Sequence, residues 1–173
     1  MQPKIVKFGP VKIAGYLHKT SMDNNTIPAF WGEIMSDGRH EKLHGADFAK
    51  QPAEHGAEYG VCFMLNDNDM DYVIGAEVKP GAQVSDDFYA CEIPAGDYAV
   101  FSVEPYPLGQ PSTNIQTAWG VAFDWLATSE YAVNNNPSFE IYFPGCTCGT
   151  DAECAACNSG NMICDIYIGV DKK

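Results

Sequence analysis

The apolar pattern of this chain runs strand, helix, strand, strand, and then follows the same course again. An order of that kind, repeated within 173 residues, restricts the fold more than any single motif does. Two βαββ units predict an α+β fold: tandem repeats forming an antiparallel-rich sheet with two helices on one face, the other face being covered or binding something. The expected organisation is a single domain over 1–173, with repeat one at about 4–80 and repeat two at about 85–170.

Lys4–Ser21 is rich in β-branched residues and reads as extended chain, broken at Gly9-Pro10. Ile27, Phe30, Trp31, Ile34 and Met35 recur at helical spacing, with Thr26 as a cap and Pro28 in the first turn. EYGVCFMLN and DYVIGAEV are two strand runs joined by a turn. In the second unit, FYACEI passes through Pro94-Ala95-Gly96-Asp97 into YAVFSVE. A helix follows, with Ile115, Trp119, Ala122, Phe123 and Leu126 as its stripe and Thr113 and Gln116 at capping-box spacing. FEIYF and ICDIYIGV close the chain.

The second hairpin is longer than the first, and the excess reads as a Cys-rich insertion over 145–161. Its Cys146-x-Cys148 and Cys154-x2-Cys157 could supply four thiolates to a tetrahedral zinc, with Cys164 as a substitute; free thiols or disulfides are the alternatives. Cys62 and Cys91 fall in strand runs and read as small apolar core residues.

The formal net charge of −13 argues against direct binding to nucleic acid and favours cationic partners. No signal peptide and no run of 18 apolar residues is found, so the reading is cytoplasmic, with no membrane partner. No Gly-rich phosphate loop or nucleophile elbow is present.

Each closing strand carries an acid with a tyrosine two positions later: Glu140 with Tyr142, and Asp165 with Tyr167. Strand parity sets these pairs opposite the apolar residues of their own strands. The apolar sets are expected under the helices, and both acid–tyrosine pairs together on the helix-free face. On that view Glu140 is unpaired when the groove is empty, and neutralising it leaves the fold no weaker. Trp31, Tyr16 and Phe63 are further aromatic candidates for cation–π contact, whereas Trp119 reads as core. His40-Glu41-Lys42-Leu43-His44 has the H-E-x-x-H form of zinc proteases. That motif needs a helix, a third ligand and a cleft, and Ser36-Asp37-Gly38 interrupts the helical pattern just before it, so it reads as a chance match.

The ordered set GYLHKTS, IPAFWGEI, EYGVCF, DYVIGAEV, CEIPAGDYAVF, IQTAWGVAFDWLATSEY, FEIYFP and CDIYIGV resembles the gyrase-inhibitor-like (GyrI-like) effector-binding domains. The resemblance runs from about Val11 to Val170. Such domains form the ligand-sensing halves of AraC-type and MerR-type transcription regulators and also occur alone. The resemblance implies a standalone, multidrug-type binder of small cationic or aromatic molecules, without a DNA-binding part. By resemblance, Glu140 holds the place of the family's charge partner for cations, and Asp165 replaces a second acid that is usually Glu. The resemblance also implies a pseudo-twofold pair of βαββ repeats around a ligand groove; with strand parity and aromatic character added, the ligand-binding candidates are Glu140, Tyr142, Asp165, Tyr167, Trp31, Tyr16 and Phe63. Two alternatives come with it. One is a hydrolase of cyclopropane-type genotoxins, with Glu140 as base and Tyr142 as its orienter. The other is a protein-binding, gyrase-inhibitor-like module.

Overall fold

The computed structural model describes residues 2–51, 57–107, 113–143 and 161–173. In chain order the elements are β1 (Lys4–Phe8), β2 (Val11–Ser21), α1 (Ile27–Ser36), α2 (Arg39–His44), β3 (Glu58–Met64), β4 (Asp69–Glu77), β5 (Tyr89–Ile93), β6 (Gly96–Ser102), β7 (Tyr106–Pro107), α3 (Thr113–Thr128), β8 (Tyr131–Val133), β9 (Ser138–Phe143) and β10 (Asn161–Lys172). The main sheet runs β1-β6-β10-β9-β3-β4-β2-β5, with every described pairing antiparallel. This order is symmetric about the β3–β9 pair. β3-β4-β2 with α1 mirrors β9-β10-β6 with α3, which is the pseudo-twofold pair of βαββ units that the sequence predicts. The edge strands are exchanged. β1 leads into the first unit but pairs with β6 of the second, and β5 leads into the second but pairs with β2 of the first.

The three helices among the described residues pack on one face. Phe30 and Ile34 of α1 cover Tyr72 and Ile74. Leu43 of α2 covers Ala14, Ala76 and Val78. Ala118, Ala122 and Leu126 of α3 cover Phe101, Ile166 and Ile168. The sequence pattern does not anticipate α2. α1 stops at Ser36, Gly38 adopts φ 86° in the left-handed region that glycine tolerates, and a second short helix starts. Thr26 precedes α1 but makes no side-chain cap. Its hydroxyl binds His18 and Thr20 instead.

The helix-free face is covered by the sheet itself. Phe8 on the edge strand β1 meets Phe139 in the middle of the sheet, with ring centroids 5.1 Å apart. Three strand spacings separate them along the sheet, about 14 Å if it were flat. Gly9, with φ 77°, lies against Pro94 so closely that a Cβ there would stand 2.6 Å from the Pro94 carbonyl oxygen. The sheet therefore curls until its two edges meet at this corner. Inside the curl Ile13, Tyr59, Val61, Ile93, Tyr98, Phe139 and Ile141 form a second core. Both faces of the sheet are thus apolar, and no helix among the described residues is long and apolar enough to cross a membrane.

β9 and β10 pair in register from Phe139↔Tyr167 to Phe143↔Ile163, so the chain between them joins two strands that already form a ladder. Cys146, Cys148, Cys154 and Cys157, and the zinc expected on them, lie outside the described residues. Replacing 145–160 by a short turn should leave a single cooperative thermal transition, because closure entropy depends only weakly on loop length. Loss of cooperativity in calorimetry would show that this segment belongs to the core.

Candidate functional site

Glu140 sits in the middle of β9, directly between Gly60 of β3 and Ile166 of β10. Residues paired across strands share a face, so Glu140 points to the helix side together with Ile166. It is only 7% exposed. Three donors meet its carboxylate. The Tyr72 and Tyr142 hydroxyls each donate to Oε2 at 2.8 Å, and the Trp119 indole N–H donates to Oε1 at 2.8 Å. Behind them the Trp31 indole N–H donates to the Tyr72 hydroxyl at 3.0 Å.

The space for this network comes from Gly60. A Cβ at that position would overlap the Tyr72 hydroxyl and stand 2.9 Å from Glu140 Oε2. The missing side chain lets a phenol from β4 reach across β3 to the carboxylate on β9. Burial, and then the Glu140 charge, push the Tyr72 and Tyr142 hydroxyls well above the usual phenol range, so both remain neutral donors. The Cys62 thiol, pushed up to about 12 by burial with Glu140 adding, stays protonated as well. The three donors on Glu140 are neutral, so they solvate its charge without cancelling it.

Aromatic rings surround this charge. Trp31 of α1 packs on Tyr142 with centroids 4.9 Å apart at 63°. Trp119 of α3 stacks with Phe123 at 5.7 Å and 26°, and Phe123 is 52% exposed. The two helices therefore each send a tryptophan toward one carboxylate, with an exposed ring at the α3 rim. An open cleft of about 770 Å³ lies elsewhere, at the Gly9–Gly96 corner, among Lys7, Asp97, Asn134, Asn136 and Asp171.

The structure corrects the shared lining expected of the two acids. Asp165 pairs with Ile141, and Tyr167 with Phe139, so both point to the helix-free face, away from Glu140. Tyr167 stacks on Phe139 at 4.7 Å and 11°, and Phe8 packs beside it. Phe63 also packs on that side. Tyr16 is on the helix face, but Ile74 and Gly60 stand between its row and Glu140. It packs on Phe88. Of the residues expected to line the ligand site, only Glu140, Tyr142 and Trp31 come together. Trp119 packs against the α3-side core as expected, and its indole N–H in addition reaches Glu140. Tyr72 carries no sequence motif of its own, although its parity with Ile74 in DYVIGAEV sets it under α1. Cys164 is 1% exposed in the α3-side core, with its thiol pushed up by burial.

The family described as integron-associated effector binding protein matches residues 4–170. No curated protein sequence matches the chain. Among solved structures, SAV2435 bound to tetraphenylphosphonium is similar with a TM-score of 0.71 at 17% identity, over 99% of this chain and 94% of that one. An integron cassette protein from the mobile metagenome of Vibrio cholerae gives 0.64 at 14% identity, over 98% and 96%. The C-terminal domain of EcmrR gives 0.61 at 13%, over 99% and 98%. At these identities the likeness is one of fold, and the fold is GyrI-like.

Proposed function

Because the chain belongs to the integron-associated effector-binding protein family, we propose that it binds a small aromatic cation beside Glu140, between α1 and α3. The observation that carries this reading is a nearly buried carboxylate whose hydrogen-bond partners are all neutral, set among the rings of Trp31, Tyr72, Trp119 and Tyr142. Rings supply contact area and favour cations over their faces, while the carboxylate selects the sign of charge. A cation shielded by aryl groups needs no hydrogen bond from the carboxylate, so the three donors can stay in place when it binds. The acidic surface, formal net charge −13, draws cations toward the site. The tetraphenylphosphonium bound by SAV2435 is such a cation.

Tetraphenylphosphonium and tetraphenylborate have nearly the same shape and opposite charge. Calorimetric titration should show saturable binding of the phosphonium and none of the borate at equal concentration. Equal binding of the two would reduce the site to a hydrophobic surface and remove the role assigned to Glu140.

A further inference from the structure

The H-E-x-x-H segment, taken from sequence as a chance match, gains two of the features that reading found missing. Arg39–His44 is the helix α2, so His40 and His44 stand one turn apart on one side of it. Their rings lie 4.4 Å apart, centroid to centroid. Glu58, the first residue of β3, faces both and is 3% exposed. Leu43, fully buried on Ala14 and Ala76, anchors α2 over this part of the sheet. Ala76 is also the cross-strand partner of Glu58, so a small side chain beside the acid admits the helix.

The distances fit a shared ion as well as they fit long hydrogen bonds. His40 Nε2 and His44 Nε2 each lie 3.4 Å from the same atom, Glu58 Oε1. Good N–H···O bonds are shorter, about 2.9 Å. Ligands about 2.05 Å from a tetrahedral zinc are separated from one another by about 3.3 Å, the length of a tetrahedron edge. All three donor atoms fall within 4.8 Å of one another. Two imidazoles and one carboxylate are also the donor set of three-ligand zinc centres that keep a fourth position open. The histidine side chains are 25% and 23% exposed, which leaves a path from solvent. A carboxylate as buried as Glu58 requires compensating charge, and a divalent ion provides it.

We propose that His40, His44 and Glu58 bind one divalent transition ion of the zinc type, with its remaining coordination position open to water. The centre is distinct from the proposed effector site but adjoins it, because Glu58 is the cross-strand neighbour of Tyr142, which donates to Glu140.

The test uses Zn²⁺ alone, on a full-length chain in which Cys146, Cys148, Cys154 and Cys157 are replaced by Ser, so that thiolates of 145–161 cannot supply the binding. One equivalent should survive dialysis, and Co²⁺ in its place should give visible d–d bands without a thiolate charge-transfer band. His40→Ala and His44→Ala should each weaken binding by at least about 100-fold, since even changes one shell out cost 10- to 100-fold. In the NMR spectrum of the otherwise unaltered chain, ring signals of His40 and His44 should shift together with the first equivalent while His18 stays unmoved. That readout decides if either alanine variant fails to fold. Retention below about one-tenth of an equivalent, or unshifted His40 and His44 signals, overturns the proposal. Affinity unchanged in both folded alanine variants does the same.

Discussion

Glu140→Gln should weaken binding of tetraphenylphosphonium by roughly 10- to 150-fold, about 1.5–3 kcal/mol. A shielded cation about 6 Å from the carboxylate, at an effective dielectric near 20, is attracted by about 3 kcal/mol, and the neutral amide keeps the shape while losing that attraction. The same substitution should also lower stability, contrary to the expectation from sequence that neutralising an unpaired acid is harmless. Glu140 is fully engaged: Trp119 donates to Oε1, and Tyr72 and Tyr142 both donate to Oε2. Glutamine offers one acceptor oxygen and a pair of N–H donors. Whichever way it turns, at least one buried N–H or O–H donor is left without its acceptor, at a cost of about 1–3 kcal/mol. Calorimetric titration and thermal unfolding of the same variant separate the two effects. An affinity loss below about threefold in a folded variant would make Glu140 a structural acid only.

Gly60→Ala should damage fold and site together, although it adds a single methyl group. The new Cβ would overlap the Tyr72 hydroxyl and approach Glu140 Oε2. Tyr72 is held on the far side by Trp31, so the phenol cannot withdraw without breaking its bonds to Glu140 and to the indole. Overpacking and one lost charge-assisted bond together should cost about 2–4 kcal/mol, or about 5–15 °C in melting temperature for a chain of this size. Tetraphenylphosphonium binding should fall with it. Gly32→Ala in α1 is the control: a Cβ there meets nothing within 4 Å, and a helical alanine should be neutral or slightly stabilising. Wild-type melting in Gly60→Ala would show that the phenol does not depend on the glycine.

The repeat, the helices α1 and α3 and the unusual setting of Glu140 are legible in the sequence, because each rests on local periodicity or on an acid in an apolar strand. The face to which Glu140 points is not. Parity separates Phe139 and Ile141 from Glu140 and Tyr142, but it does not tell which set meets the helices. The usual rule that the apolar set lies under the helices fails on β9, because the curled sheet makes its inner face an aromatic core that claims Phe139. On β10 the rule holds, with Cys164, Ile166 and Ile168 under α3. The two acids therefore part company through register: Glu140 lies opposite Ile166, and Asp165 opposite Ile141. Gly60 was equally silent, since a glycine in a strand declares an approach but not the partner. α2 was hidden because Gly38 reads as a stop, whereas here it separates two helices.

The exchange of β1 and β5 bears on how the molecule can come apart. The two pseudo-symmetric halves meet along the β3–β9 ladder, which alone would be an easy seam for partial opening. Each half, however, is flanked by a strand tied by a short corner to the other, at Gly9-Pro10 and at Pro94-Ala95. To part the halves, the chain must surrender three ladders at once and uncover both cores. Subglobal unfolding along the symmetry axis thus approaches the free energy of global unfolding. The tryptophans contributed by α1 and α3 are held in fixed relation across that axis. An occupant bound between them as proposed would be gripped by two halves that cannot drift apart independently, as a hinge would allow.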